Sequence, residues 1–163
     1  VGTSVVMGNV KTPDRAVVNY DGVAYKMRSD RVKNELAECG DFQDLLVTYT
    51  QTLMTKIAQN SICNRLHRID QQLSRLLLDF ADELETETFR LTHDLIAGLL
   101  GVRRESVSIA TGTLHKRGLI KAARGKVTII DRKSLANAAC ECYSVVKDQL
   151  ESSLAKYATN HTR

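Results

Sequence analysis

The sequence predicts an α+β fold that is mostly helical. Three observations carry this expectation. The only proline in 163 residues is Pro13, so nothing beyond it breaks a helix by removing a backbone N–H. From Asp41 to Ala97 apolar residues recur at helical spacing with no glycine or proline, the pattern of long helices. Near the C-terminal end, the β-prone runs Leu119–Ala122 and Val127–Ile130 flank Arg124-Gly125-Lys126, which reads as a tight turn between two short strands.

Composition bounds the class. The length suits one medium domain or two small ones, and 43% hydrophobic with 26% charged residues is ordinary for a globular chain. No apolar run approaches a membrane span, and the first residues lack the basic and apolar regions of a secretory signal. Val1 is not an initiator Met, so the chain is read as a fragment or an N-terminally trimmed product. The four cysteines, Cys39, Cys63, Cys140 and Cys142, are too sparse for a disulfide scaffold and lack C-x-x-C spacing. Cys140 and Cys142 flank Glu141; two positions apart on one helix they point different ways and chelate poorly. No metal site is expected. The thiols read as reduced cysteines of an intracellular, cytoplasmic protein, with a redox or metal sensor as the alternative.

Residues 1–28 read as extended. Arg15–Tyr20 and Val23–Arg28 flank Asp21-Gly22, a hairpin signal. Ser29 stands as N-cap of a short helix that Gly40 ends. Asp41 opens a long helix on which Leu46, Thr50, Leu53, Ile57, Asn60 and Asn64 alternate at spacings of four and three. That is a heptad seam, in which buried Asn fixes register and partner number. It is read as a dimer seam, with packing inside its own chain as the alternative. The phase is lost near Arg65–Ile69, where a hinge is placed, and a second helix runs through Leu73, Leu76, Leu77, Phe80 and Leu84. Thr88–Leu91 is short and extended. Thr92 caps a helix through Leu100, Gly101 interrupts it, and a second helix runs from about Arg103 to Arg117, stopped by Gly118. Asp131 caps a last helix over about 133–150, and the polar tail beyond Ser152 is expected to fray. Two short helices joined through a glycine turn and followed by a two-stranded wing form a helix-turn-helix unit.

Charge concentrates in this half. Between Thr88 and Lys133, ten cations face three anions, a net +7, which leaves −3 for the rest of a +4 chain. A basic module of this kind is the electrostatic footprint of a nucleic-acid binder. The second helix opens Arg103-Arg104-Glu105-Ser106-Val107-Ser108-Ile109, and its first turn is the part that enters a major groove. There an Arg can donate two hydrogen bonds to guanine and a Glu can accept from cytosine N4, with Ser108 beside them able to hold a phosphate or a base. Thr92, Arg103, Ser106, Lys116, Arg124 and Lys126 are candidates for phosphate contact and positioning. Val107, Ala110 and Leu114 recur at three and four and should face the core.

The run Leu91-Thr92, Ile96-Ala97, Leu100-Gly101-Val102-Arg103-Arg104-Glu105-Ser106-Val107, then Leu114 and Gly118-Leu119-Ile120, resembles the winged helix-turn-helix of the Crp/Fnr transcriptional regulators. Upstream, the hairpin, short helix and seam helix resemble the end of that family's sensor β-roll and its dimerisation helix. The resemblance implies four segments: 1–40 as the end of the β-roll with a short helix, 41–66 as dimerisation helix and hinge, 67–152 as the DNA-binding domain and 153–163 as a flexible tail. It further implies a bacterial homodimer that binds a palindromic double-stranded DNA site, works with RNA polymerase and answers a signal at its N-terminal sensor. In that family an Arg-Glu pair opening the recognition helix reads base edges, and Arg104 and Glu105 occupy those positions. The cyclic-AMP branch has a further Arg where this chain has Ile109, which can touch a thymine methyl instead.

The ligand stays open. Arg15 stands near where the family's Arg-Ser pair holds a cyclic nucleotide, but the neighbour Ala16 has no hydroxyl, which argues against cyclic AMP. Cys39 and Cys63 do not reproduce the spacing of the family's iron–sulfur branch, and a haem would have only His67 as its nearest axial candidate. No membrane contact is expected. Two other readings remain: a winged-helix module for architecture or protein interaction that reads no sequence, and an enzyme. The chain has no H-E-x-x-H, no G-x-S-x-G and no phosphate-cradling glycine loop, so no catalytic residue is assigned.

Overall fold

A computed structural model describes residues 2–8, 16–18, 20 and 22–161. Its elements in chain order are α1 (Thr3–Val6), α2 (Ser29–Ala37), α3 (Asp41–Leu66), α4 (Ile69–Leu84), β1 (Thr88–Arg90), α5 (His93–Leu100), α6 (Arg104–Lys116), β2 (Ile120–Ala123), β3 (Lys126–Ile129), α7 (Arg132–Ala138) and α8 (Cys142–His161). The fold is α+β and mostly helical. Among the described residues, no helix is long and apolar enough to cross a membrane.

The chain divides into two compact units, Val1–Met54 with Leu150–Arg163, and Thr55–Gln149. In the first, Val6 and Met7 line a shallow apolar hollow with Val47, Thr50, Gln51 and Met54 of α3. Among the described residues, the segments expected to form a hairpin around Asp21-Gly22 carry no strand. Arg15, Asn19 and Asp21 lie outside the described residues, and Ala16–Val18 and Gly22–Arg28 carry no strand. Val18, Val23 and Tyr25 are almost fully exposed, and two strands with neither face packed are marginal in water. So no strand of a sensor β-roll forms among the described residues. Ser29 is the first residue of α2 rather than its cap; the cap position is Arg28, without a side-chain cap bond, and the Arg28 guanidinium pairs with Asp30 at 3.0 Å. Cys39, not Gly40, takes the left-handed conformation past the end of α2.

The second unit holds the core. α4 places Leu73, Leu77, Leu78 and Phe80 in the interior, where they meet α6 and α7. The helix of 26 residues, α3, breaks at His67-Arg68 before α4 begins. Gln72 bridges this corner: its side-chain amide donates to the carbonyls of Cys63 (3.2 Å) and His67 (2.8 Å), satisfying acceptors that a helix end leaves open. Gln71 accepts from the Arg68 N–H at 3.1 Å and so closes the start of α4.

Among the described residues the sheet has three antiparallel strands, in the order β1-β3-β2. Phe89 pairs with Val127, and Ile120 with Ile129; these four side chains are all buried. The wing is therefore joined by β1 as a third strand. Arg124 and Gly125 both adopt positive φ, 49° and 73°, the geometry of a two-residue hairpin turn. The last helix differs from expectation. Asp131 does cap it, accepting from the Ser134 N–H at 2.9 Å, but α7 stops at Ala138, Ala139 turns extended, and α8 starts at Cys142. α8 then continues past Ser152 to His161.

Candidate nucleic-acid interface

The helix-turn-helix is built from local signals. Thr92 Oγ1 accepts from the Leu95 N–H at 3.2 Å and caps α5. Gly101 closes it at φ 66°, a left-handed position suited to glycine. The Val102 N–H donates back to the Ala97 carbonyl at 3.1 Å, which sets the angle at which α6 leaves.

α6 is divided by face. Val107, Ala110, Thr111 and Leu114 are buried and anchor it against α4 and α5. Arg103, Arg104, Glu105, Ser108, Ile109 and Lys116 are exposed, while Ser106 is half-buried. An isoleucine that leaves 71% of its surface in water at the middle of a helix has no role in its own core.

Two hollows flank α6. On the wing side, Arg104 and Ser108 line a groove of about 510 Å³ with Thr92, His93, Arg124 and Lys126. On the other, Ser106 and Ile109 face Arg68, Ile69 and Asp70. The structure thus gathers Thr92, Arg104, Ser108, Arg124 and Lys126 in one place and sets Ser106 and Ile109 on the opposite flank; Glu105 and Lys116 lie along the outer face between them.

Three interactions here are not legible in the sequence. Arg104 Nε lies 3.3 Å from Asp94 Oδ1. His93 Nδ1 and Ser108 Oγ are 2.9 Å apart, tying α5 to α6. Arg132, one of the ten cations of the basic half, is engaged elsewhere: it pairs with Glu87 at 2.7 Å and with Asp82, and Asp82 also accepts from the Tyr143 hydroxyl at 2.7 Å. The spacing of Asp94 to Arg104 spans a turn whose angle no local pattern gives.

The seam residues lie on α3. Leu46, Thr50, Leu53 and Asn60 are half-buried, and Ile57 and Asn64 are exposed. Thr50 satisfies its hydroxyl on the Leu46 carbonyl at 2.7 Å. Among the described residues, Cys63 is the one fully buried member of α3. Arg15, the candidate for a nucleotide, lies outside the described residues.

A solved structure from Eubacterium rectale, assigned to the Crp/Fnr family of transcriptional regulators, is similar to this chain with a TM-score of 0.50 and 24% identity over 66% of this chain and 50% of that one. The catabolite activator protein of Thermus thermophilus matches at a TM-score of 0.39 and 20% identity, over 72% of this chain and 45% of that one. This chain therefore spans about half the length of either protein. No curated protein matches it. The family profile of the Crp-like helix-turn-helix domain matches residues 71–138. Residues 71–138 thus form a Crp-like helix-turn-helix domain. The Crp-like domain starts within α4 and ends with α7, so it takes in both helices of the helix-turn-helix, all three strands and the α4 core beneath them.

Proposed function

We propose that the chain is a sequence-reading transcriptional regulator that binds double-stranded DNA as a homodimer, with α6 in the major groove. One observation carries this reading: α6 buries Val107, Ala110 and Leu114 and leaves Arg104, Glu105, Ser108 and Ile109 in water on the surface of a basic Crp-like domain. Arg104 and Glu105 supply a bidentate donor and an acceptor suited to a G·C pair, and Ile109 an apolar contact suited to a thymine methyl. Arg124 and Lys126 on the wing turn, with Thr92, Arg103, Ser106 and Lys116, hold phosphates and set register.

The seam of α3 supports pairing of two chains. Ile57 is 56% exposed, and Leu46 and Leu53 on the same face are only half-buried, an apolar strip that a second copy would cover. A dimer places two α6 helices about one DNA turn apart, roughly 34 to 36 Å, and so reads a palindrome. The same reading makes the protein cytoplasmic and non-enzymatic, a partner of RNA polymerase, controlled by a signal at an N-terminal sensor.

Selection of bound fragments from a random DNA pool tests this. An enriched palindrome with G·C pairs in each half, lost on Arg104→Ala, is the expected result. Binding that falls steeply with salt and enriches no motif is the result for an architectural module that holds phosphates only.

A further inference from the structure

Cys63 and His67 lie one turn apart at the end of α3, and Cys140 and Cys142 bracket the break between α7 and α8. The break turns both of these thiols inward to meet the first pair. The four ligand atoms, three Sγ and an imidazole nitrogen, lie within 4.8 Å of one another. Cys63 Sγ is 3.5 Å from Cys140 Sγ, and Cys142 Sγ is 3.4 Å from His67 Nδ1. Around a tetrahedral ion with metal–sulfur bonds of about 2.3 Å and a metal–nitrogen bond of about 2.0 Å, ligand atoms stand roughly 3.5 to 3.8 Å apart. We propose that Cys63, His67, Cys140 and Cys142 bind a thiophilic divalent cation of the zinc type, which ties the end of α3 to the α7–α8 junction.

The surroundings fit that ion. Glu141 Oε1 is 3.1 Å from His67 Nε2. This bond holds the ring proton on Nε2 and leaves the Nδ1 lone pair facing Cys142, the carboxylate–histidine arrangement found behind metal-binding imidazoles. Gln59 Nε2 donates to Cys142 Sγ at 3.1 Å, a contact that holds this sulfur in place. Without an ion, burial pushes the Cys63 thiol up and the Cys140 thiol up to about 12, so both are protonated. Binding exchanges those protons for metal: one M²⁺ with three thiols and a neutral imidazole gives a complex of charge −1 and three released protons. The guanidinium of Arg75, which acts electrostatically on Cys63, is buried and also pairs with Asp79 at 3.9 Å, so it brings positive charge near the complex without being free to neutralise it. A Cys63–Cys140 disulfide would use two of the four groups and leave the inward-facing Cys142 and the oriented His67 without a purpose. Four protein ligands leave no open position, so the site is structural rather than catalytic. This inference stands independently of the DNA reading.

The test uses the full chain, reduced and freed of metal with a chelator, then titrated with Co²⁺. The expected result is one Co²⁺ per chain, with near-ultraviolet thiolate charge-transfer absorption and visible bands of a tetrahedral site. One equivalent of Zn²⁺ should displace it, and Zn²⁺ added to the metal-free chain should release about three protons. Glu141→Gln, which acts only through His67, should weaken binding about 10- to 100-fold without changing the stoichiometry. Cys39→Ser should bind unchanged. Wild-type protein without the charge-transfer absorption overturns the proposal, and so does absorption retained in Cys140→Ser/Cys142→Ser. The first of these outcomes needs no variant, so misfolding of the double variant does not rescue the idea.

Discussion

Arg104 at the first position of α6 is held by Asp94 in the first turn of α5, with Nε 3.3 Å from Oδ1. Both side chains are mostly in water, 63% and 73% exposed, so the pair adds little to stability. Its weight lies in competition: a carboxylate already occupies a donor that a base or phosphate would use. Asp94→Asn should therefore leave the thermal midpoint nearly unchanged and raise DNA affinity several-fold at low salt, with the gain shrinking as salt rises. Fluorescence anisotropy with a labelled duplex checks this; an affinity that falls instead would mean Asp94 positions Arg104 for recognition.

Arg104 and Arg124 should fail in different ways. Arg104→Lys keeps the charge but loses the two-pronged geometry, so discrimination at one base pair should drop by about 1 to 3 kcal/mol while non-specific binding changes little. Arg124→Asn keeps a residue that tolerates the left-handed turn. It should weaken binding equally on all sequences and lower the salt slope by about 0.9 for each phosphate that is no longer neutralised. Affinities for matched and mismatched duplexes across a salt series separate the two.

Asp79 predicts a pH dependence of stability. Burial pushes its carboxyl up to about 6, against the pull of Arg75 and Lys56. The folded state thus binds this proton more tightly than the unfolded chain does. The stability it contributes is complete below about pH 4 and is lost as pH rises to about 6. Two pKa units correspond to on the order of 2 to 3 kcal/mol. Asp131 is held below the usual carboxylate range by its bonds to Ser134, and Glu141 by a backbone hydrogen bond and the imidazole of His67; both act at lower pH. Asp79→Asn should flatten the decline between about pH 4 and 6, as read by urea unfolding; a slope equal to that of the wild type would remove Asp79 as its source.

A charge in the seam should separate the two chains. Ile57→Asp puts a carboxylate where a partner helix would cover it, at a cost of about 2 kcal/mol or more, which weakens self-association at least tenfold. Sedimentation of the wild type as a dimer and of the variant as a monomer is expected at micromolar concentration. A wild-type monomer there would contradict the seam.

What is legible in the sequence is local. Thr92 and Asp131 cap the helices their positions predict, and Arg124-Gly125 makes the wing turn, because each needs only its own neighbours. The inward set Val107, Ala110 and Leu114 follows from helical spacing alone. The hairpin signal at Asp21-Gly22 is as strong locally, but the valines beside it find nothing to pack on. The third strand reads as extended and not as paired, because Phe89 meets Val127 across two intervening helices. The cysteine cluster is hidden twice: Cys63 and Cys140 are 77 residues apart, and the helix break at Ala139 carries neither glycine nor proline. On one unbroken helix Cys140 and Cys142 would diverge; the break lets them converge.

Reading of a guanine by Arg104 through α6 can be isolated with a cycle of two changes. Wild-type protein and Arg104→Ala are each measured on the selected site and on the same site with the contacted guanine replaced by 7-deazaguanine, which lacks the N7 acceptor. Wild type should lose about 1 to 3 kcal/mol on that replacement, and Arg104→Ala, already weaker, should lose almost nothing further. An equal loss in both proteins at every guanine of the site would show that Arg104 reads none of them.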